Sequence, residues 1–332
     1  GKMMKPHGKL GMTELSHNKD YIKIIIGLMI SFIALFYFVY SIDFQKLSSE
    51  IRQFDTRYLI YGLTSLLLGY VIRIYRWSFI LSKTGQIIRF KDCISPFMGS
   101  IALNNTLPLR AGDILRVLVF PDAMNISKTQ SLGSIIIERL FDVLILITLL
   151  FVFLPYSFDE ISKIINFPAL NYIHIYIFTA IFFLFSLRAI PSIYETYKNF
   201  KTNFFNQNSY MITPKKILVV LVSSIVIWIA ESGLFFFILL GLDINMGFFG
   251  AIYLMAIVTL GTLIPSSPGY IGTFHFIAYS GLFFLIENSS LAASFAVISH
   301  AALWLSTTVI GLILIFWNIN LFESFKLHWR NK

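Results

Sequence analysis

Three charged residues lie within five positions of an otherwise apolar stretch: Glu138, Arg139 and Asp142. A charge at the centre of a bilayer costs roughly 2.5–3.5 kcal/mol on insertion scales, so such residues need partners or a task. Residues three and four apart share a helix face, so Arg139 can pair with Asp142, and Glu138 is then left over. Two interpretations stay open: an internal ion pair that locks a helix bundle, or a surplus carboxylate that carries protons or meets an arginine of another helix.

Glu231 is a further carboxylate deep in an apolar run, and no basic residue lies close to it in the sequence. A buried carboxylate without a partner tends to take up a proton, because burial disfavours the charged form. We therefore predict proton-coupling roles for Glu138, Asp142 and Glu231, with pairing to an arginine as the alternative.

Arginines occur at two further places where they suit phosphate. Arg73 and Arg76 are three positions apart and lie near a basic loop, so snorkelling to lipid headgroups is the simpler explanation for them. Arg110, Asp113 and Arg116 recur every third residue and are expected to line one side of a helix. Because an arginine fork binds phosphate oxygens through two donors, this spacing predicts an anion site, with Asp113 as orienting partner or helix cap.

Two apolar segments, one in each half of the chain, are interrupted by proline, glycine and polar residues. They read GSIALNNTLPLRAGDILRVLVF at 99–120 and AIYLMAIVTLGTLIPSSPGYIGTFHF at 251–276, and residues 106–108 resemble residues 262–265. The helix after each break offers free N–H groups to an anion, and Gly112, Gly269 and Gly272 let it approach the backbone. Such a pair of re-entrant segments predicts an inverted-repeat transporter with a site at the midplane. Two full spans joined by a tight turn, or ordinary loops, are the alternatives.

The polar residues at these breaks complete the predicted substrate site. Its candidate contacts are Arg73, Arg76, Asn104, Asn105, Arg110, Asp113, Arg116, Arg139, Ser267, Gly269, Gly272 and His275. A hydrogen-bonded core histidine is the simpler interpretation of His275 and of His300. The sequence shows no nucleotide loop, nucleophile elbow or metal-ligand motif, and its single Cys93 excludes an internal disulfide. We therefore expect no catalytic residue, cofactor or metal.

The composition places these residues in a membrane protein. Of 332 residues, 57% are hydrophobic and 13% are charged, whereas soluble domains average about 45–50% and about 25%. These values disfavour a water-soluble enzyme, a nucleic-acid binder and a disordered chain. The chain has room for about eight spans of roughly 20 residues, so we predict an all-α, polytopic helical bundle. Its apolar runs are 21–41, 58–81, 93–107, 130–154, 167–188, 215–241, 247–264, 270–286 and 289–317.

Loop charges predict the orientation. Lysines and arginines collect in the N-terminal tail, in the loops 82–92 and 188–216 and after residue 318, whereas 155–166 and 242–246 are poor in them. With a net charge of +9, this bias places both termini in the cytosol of a cytoplasmic membrane and makes 93–120 a re-entrant pair. Three segments follow: a tail over 1–20 that is a candidate vector-derived extension, one transport domain over 21–317, and a basic tail over 318–332.

Four motifs resemble, in their order, those of the lysylphosphatidylglycerol synthase transmembrane family, whose members are also described as flippase-like. They are RIYRWSFIL at 73–81, NNTLPLRAGDILRV at 104–117, SIIIERLFDVLIL at 134–146 and PSSPGYIGTFHF at 265–276. The resemblance covers about 21–317 and implies a lipid-translocating domain. It implies functional positions at Arg73, Arg76, Asn105, Pro108, Arg110, Gly112, Asp113, Arg116, Glu138, Arg139, Asp142, Pro268, Gly269 and Gly272. A soluble aminoacyl-transferase domain follows in bifunctional relatives, and we expect this chain, which ends at Lys332, to lack it.

The leading hypothesis is a lipid flippase that moves a phosphate-bearing phospholipid or a polyprenyl- or glyco-linked lipid through a cationic midplane cavity. Its expected partners are an anionic membrane lipid and the bilayer, with no nucleic acid; a homo-oligomer or a partner lipid-modifying enzyme stays open. One alternative is an integral-membrane transferase or phosphatase that uses Asp113, Glu138 and His275. Another is a scaffold for a partner lipid synthase.

Overall fold

The computed structural model describes residues 10–162, 207–263, 266–318 and 320–324, and within these ranges the regular structure is helical, without a strand. The α-helices are α1 Leu10–Tyr40, α2 Phe44–Gln53, α3 Thr56–Leu81, α4 Phe90–Thr106, α5 Ala111–Leu118, α6 Phe120–Met124, α7 Lys128–Ser162, α8 Pro214–Gly241, α9 Gly247–Gly261, α10 Thr273–Ile286 and α11 Ser289–Trp317. Short 3-10 turns cover Pro108–Arg110, Ser209–Ile212 and Pro268–Tyr270. The predicted all-α class is confirmed.

Four described helical segments are long and apolar enough to cross a membrane: Thr56–Leu81, Pro214–Gly241, Pro268–Ile286 and Ser289–Trp317. Residues 25–40 of α1 and the whole of α2 form a fifth candidate, bent by 85°. The chain is therefore a multi-pass integral membrane protein. The expected total of about eight spans stays a prediction, because the run 167–188 lies outside the described residues. In addition, α9, with 15 residues, is shorter than a bilayer span requires.

The membrane-flanking segments are more helical than the sequence indicated. Helix α1 begins at Leu10, inside the stretch assigned to the tail, because helix-forming residues continue ahead of the apolar run. The neutral loop expected at 42–57 contains α2, whose first turn is capped by the Asp43 carboxylate. Asp55 caps α3 in the same way, and a side-chain hydrogen bond from Arg57 lowers the pKa of the Asp55 carboxyl.

Two helix pairs form the centre of the bundle. Helix α3 lies along α8, where the Ser65 hydroxyl donates to the carbonyl of Ala230 at 2.7 Å. Because Gly233 of α8 has no side chain, α3 can approach it closely: a Cβ there would overlap the Ser65 hydroxyl oxygen. Helix α4 lies along α11 in a similar way. These contacts bring the charged positions of α3 opposite those of α8 inside the apolar core.

Candidate functional site

The first break in the chain separates α4 from α5. Pro108 disfavours a helical conformation at the residue before it, and Leu107 is extended with φ −108° and ψ 150°. A 3-10 turn follows, and Arg110 takes the left-handed conformation with φ 52° and ψ 46°. Helix α5 then folds back on α4, so closely that a Cβ at Gly112 would overlap the carbonyl oxygen of Ser100. The break thus produces a helical hairpin.

The two asparagines before this break hold the hairpin in place. The Asn104 side-chain oxygen accepts from the backbone N–H of Asp113 at 3.0 Å, and its amide nitrogen donates to the Asp113 carboxylate at 3.1 Å. The Asn105 amide donates to the hydroxyls of Thr307 and Thr308 on α11, at 3.0 Å each. The Asp113 N–H in the first turn of α5 therefore already has a hydrogen-bond acceptor. Both asparagine side chains stabilise the packing of the hairpin.

The second break joins α9 to α10 through a turn that resembles the first. Each break contains a 3-10 turn that starts at a proline and ends at a residue with positive φ, which is 52° at Arg110 and 58° at Tyr270. By backbone conformation, Pro268 is therefore the equivalent of Pro108. The match of residues 106–108 with residues 262–265 in the sequence instead pairs Pro108 with residue 265, which lies outside the described residues. The two breaks are therefore similar in backbone conformation and differ in the alignment of their amino acids.

The four predicted substrate contacts at the second break pack against other helices. The backbone N–H of Ser267 donates to the Ser31 hydroxyl of α1 at 2.7 Å, and a Cβ at Gly272 would overlap the Ser31 carbonyl. The His300 ring nitrogen donates to the carbonyl of Gly269 at 2.7 Å. The His275 ring lies 4.4 Å from that of His300. None of these four residues lines the cavity described below, so a substrate-binding role for them stays a prediction without geometric support.

A buried network of ion pairs crosses the interior beside the breaks. Arg73 donates from Nε to Glu231 of α8 at 2.6 Å and from Nη1 to Asp142 of α7 at 3.3 Å. Arg76 binds both oxygens of Asp142, at 2.7 and 3.1 Å, and the Ser224 hydroxyl at 2.6 Å. The four charged residues are each less than a tenth exposed. Glu231 thus has the arginine partner that the sequence left as the alternative to proton transfer.

Glu138 extends the network to α5. Arg116 donates to one Glu138 oxygen at 2.6 Å, while the other oxygen lies 3.8 Å from Arg76 Nη2 and has no hydrogen-bond partner among the described residues. The Arg116 guanidinium also stacks over Trp77, 3.9 Å from the ring centre, and over Phe97 at 4.6 Å. Glu138, for which the sequence offered no partner on its own helix, therefore binds an arginine of another helix.

The predicted pair within α7 does not form. Arg139 instead donates to Asp113 of α5, at 3.0 and 3.3 Å from the two carboxylate oxygens. The reason is that the guanidinium groups of Arg73 and Arg76 already occupy both oxygens of Asp142. The charged face of α7 thus binds two neighbouring helices and contains no ion pair of its own.

A cavity of about 160 Å³ lies among these groups. Since a water molecule takes about 30 Å³, it has room for about five waters or a small polar group, but not for a drug-sized ligand. Its charged walls are Arg73, Arg76, Arg110, Arg116, Arg139, Glu138, Asp142 and Glu231, and its aromatic walls include Tyr70, Trp228, Tyr270 and Phe274. The structure therefore brings together in one hollow the two groups of arginines and the three carboxylates singled out in the sequence.

Arg110 differs from the other cavity arginines, because it forms no salt bridge with any described carboxylate. Its Nη2 donates to the carbonyl of Thr262 at 3.2 Å, and its guanidinium lies 5.7 Å from the ring centre of Tyr270. Both partners are neutral and belong to the second break or the end of α9. Arg110 thus links the two breaks and has no salt-bridge partner among the described residues.

The cavity is bordered by exposed apolar surface near Arg139, whose side chain is 42% exposed. Ile136, three positions before Arg139 on the same helix face, is exposed as well, and so is Leu140, the next residue after Arg139. Ile114 and Leu118 are exposed on α5, which the ion pair of Arg139 ties to α7. A polar opening therefore lies next to a surface that suits hydrocarbon.

Comparison with known proteins agrees with this architecture. The family model described as lysylphosphatidylglycerol synthase TM region matches residues 24–311. The chain belongs to this family. It is also similar to the UPF0104 membrane protein MJ1078 of Methanocaldococcus jannaschii, with 25% identity over 202 residues, which are 59% of this chain and 84% of that protein. No solved structure gives a significant match. Membership confirms the resemblance seen in the four motifs and gives the chain a lipid-related family.

Proposed function

We propose that this family member moves lipids with an anionic, phosphate-bearing headgroup between the leaflets of the cytoplasmic membrane, with both termini in the cytosol. The observation that carries the proposal is the charge of Arg110, which lies in the cavity without a carboxylate partner among the described residues. A guanidinium that is not paired with a carboxylate can bind an anion that enters the cavity without first losing a partner. Phosphate fits the guanidinium fork through two parallel hydrogen bonds.

The surroundings of the cavity favour a lipid over a soluble anion. The exposed apolar residues of α5 and α7 beside the opening would contact acyl or prenyl tails while the headgroup enters. The cavity of about 160 Å³ holds a headgroup phosphate, and the tails stay outside. The α4–α5 hairpin, two short helices that pack on each other, supports a re-entrant segment, with the second break as its inverted counterpart.

The residues around Arg110 have distinct proposed roles. Arg139, partly exposed, gathers the headgroup and can exchange its partner Asp113 for phosphate. The three buried arginines of α3 and α5 remain paired with Glu231, Asp142 and Glu138 and hold the walls of the cavity in place. Of the three carboxylates considered for proton coupling, Glu138 is favoured, because one of its oxygens has no hydrogen-bond partner among the described residues. Scrambling without a proton is the alternative for the energy source.

In the part of the chain that the structure describes, the three residues of the enzymatic alternative do not come together. It required Asp113, Glu138 and His275 to act together, but His275 lies outside the cavity walls, and Asp113 is held by Asn104 and Arg139. A scaffold would not need a buried charge network. We therefore propose transport without catalysis.

The test is lipid translocation in vesicles reconstituted with the purified protein. A fluorescent phospholipid reports its leaflet, because a reductant added outside quenches only the label that faces it. We expect Arg110→Ala to slow translocation by about ten- to a hundredfold, the value of one hydrogen bond to a charged group. The matched control is Arg52→Ala on the exposed face of α2, which should leave the rate unchanged.

Three results would contradict the proposal. Wild-type rates in Arg110→Ala would discard the site. Conversion of a lipid substrate to product in detergent, where no sidedness exists, would identify an enzyme. Co-purification of a synthase together with no translocation by the protein alone would identify a scaffold.

A further inference from the structure

The charges around the cavity can be balanced group by group. Five arginines line it, and arginine stays protonated in proteins. Four carboxylates, Asp113, Glu138, Asp142 and Glu231, each bind one of these arginines with a closest distance between 2.6 and 3.0 Å. With all four carboxylates ionised, which includes the deprotonated form of Glu138, the described part of the site therefore has one positive charge in excess, and Arg110 is the arginine without a carboxylate partner.

A ligand with one negative charge makes this site neutral. A phosphodiester has one ionised oxygen, whereas a diphosphate adds at least one further negative charge. A zwitterionic headgroup adds no net charge and places an ammonium group among arginines. Because uncompensated charges in a low-dielectric site are costly, either alternative is less stable there.

We propose that the site selects lipids whose headgroup is a single anionic phosphodiester with a neutral substituent, over diphosphate-linked and zwitterionic lipids. This inference rests on the proposed lipid transport and names its substrate class. The size of the cavity agrees with this class, because about 160 Å³ accommodates a phosphate group.

The experiment compares three labelled lipids, each in trace amounts in phosphatidylcholine vesicles containing the protein: a phosphatidylglycerol, a phosphatidylcholine and a polyprenyl diphosphate. The wild-type protein should translocate phosphatidylglycerol at least about tenfold faster than either of the other two lipids, because a headgroup of mismatched charge binds the site more weakly. The ranking is a ratio within one protein sample, so it does not depend on how much protein is active.

Two variants change the excess charge in opposite directions. Arg110→Gln makes the site neutral and should remove the advantage of phosphatidylglycerol over phosphatidylcholine. Asp113→Asn removes one negative charge beside Arg139, so the excess rises to two positive charges, and it should raise the rate of the diphosphate relative to phosphatidylglycerol. Arg52→Gln, the same type of change on the exposed side of α2, is the control and should preserve the wild-type ranking.

A second measurement needs neither translocation nor a variant. The wild-type protein in detergent is offered an equimolar mixture of the three lipids, and native mass spectrometry reports which one binds; we expect phosphatidylglycerol to dominate. Equal wild-type rates for the three lipids, or an unchanged ranking in both charge variants, would overturn the charge selection and leave lipid transport standing. If none of the three lipids is translocated, the proposal of lipid transport is refuted. If phosphatidylglycerol does not dominate the lipids bound in native mass spectrometry, the charge selection is overturned as well.

Discussion

Asp142→Asn is the most direct test of whether the buried ion network holds the helices together. Asp142 accepts three N–H bonds, one from Arg73 at 3.3 Å and two from Arg76 at 2.7 and 3.1 Å, and it is 4% exposed. Asparagine keeps the shape of the side chain but has one acceptor oxygen and no charge. Arg73 keeps Glu231, so the loss of charge compensation falls mainly on Arg76.

The expected cost lies between two limits. Interhelical hydrogen bonds in a membrane average about 0.6 kcal/mol each, so three of them give about 2 kcal/mol. Removing one partner of a buried ion pair costs about 3–5 kcal/mol, because the other charge stays buried without compensation. Since Glu231 still compensates Arg73, we expect Asp142→Asn to lower the free energy of unfolding by about 2–5 kcal/mol.

The measurement is a titration of the protein in mixed micelles with a denaturing detergent, followed by circular dichroism. Asp92→Asn is the matched control, because Asp92 pairs with Arg89 on the exposed start of α4, and that pair contributes little in water. An Asp142→Asn transition that coincides with that of the control would refute the idea that this network stabilises the bundle.

Two further outcomes are expected. Gly112→Ala should destabilise the protein by about 1–3 kcal/mol, the cost of overpacking, because the new Cβ would overlap the Ser100 carbonyl. Gly281→Ala is the control, because its Cβ would meet only ordinary contacts. Equal stability of the two variants would refute the close packing of α5 on α4. Glu138→Gln should make the translocation rate independent of an imposed pH gradient, and a gradient response equal to that of the wild-type protein would exclude Glu138 as the proton carrier.

The main helices of the bundle could be predicted closely from the sequence. The apolar runs 58–81, 215–241 and 289–317 correspond to α3 Thr56–Leu81, α8 Pro214–Gly241 and α11 Ser289–Trp317. Each begins directly after a capping residue, Asp55, Thr213 or Asn288, whose side chain accepts a backbone N–H of the first turn. Hydropathy and caps are local properties, so one sequence is enough to read them.

The partners of the buried charges could not be predicted in the same way. Arg73 binds Asp142 and Glu231, which are 69 and 158 positions away, and only the packing of α3, α7 and α8 decides these pairs. Local spacing allowed a pair between Arg139 and Asp142 as one of two open interpretations, and Arg139 binds Asp113 instead. The aromatic residues under the arginines, such as Trp77 and Trp228, were missed for the same reason, although each lies within three positions of a buried charge.

The regular spacing of Arg110, Asp113 and Arg116 makes the two arginines equal in sequence, and the fold makes them unequal. Arg116 lies inside α5, buried between Trp77 and Glu138, so a ligand that took its guanidinium would leave a buried carboxylate unpaired at a cost of about 3–5 kcal/mol. Arg110 lies before the helix in a left-handed conformation, and its contacts are a carbonyl and an aromatic ring. A ligand can therefore bind Arg110 without breaking an ion pair, and because of this difference in cost we propose Arg110, and not Arg116, as the residue on which anion binding depends.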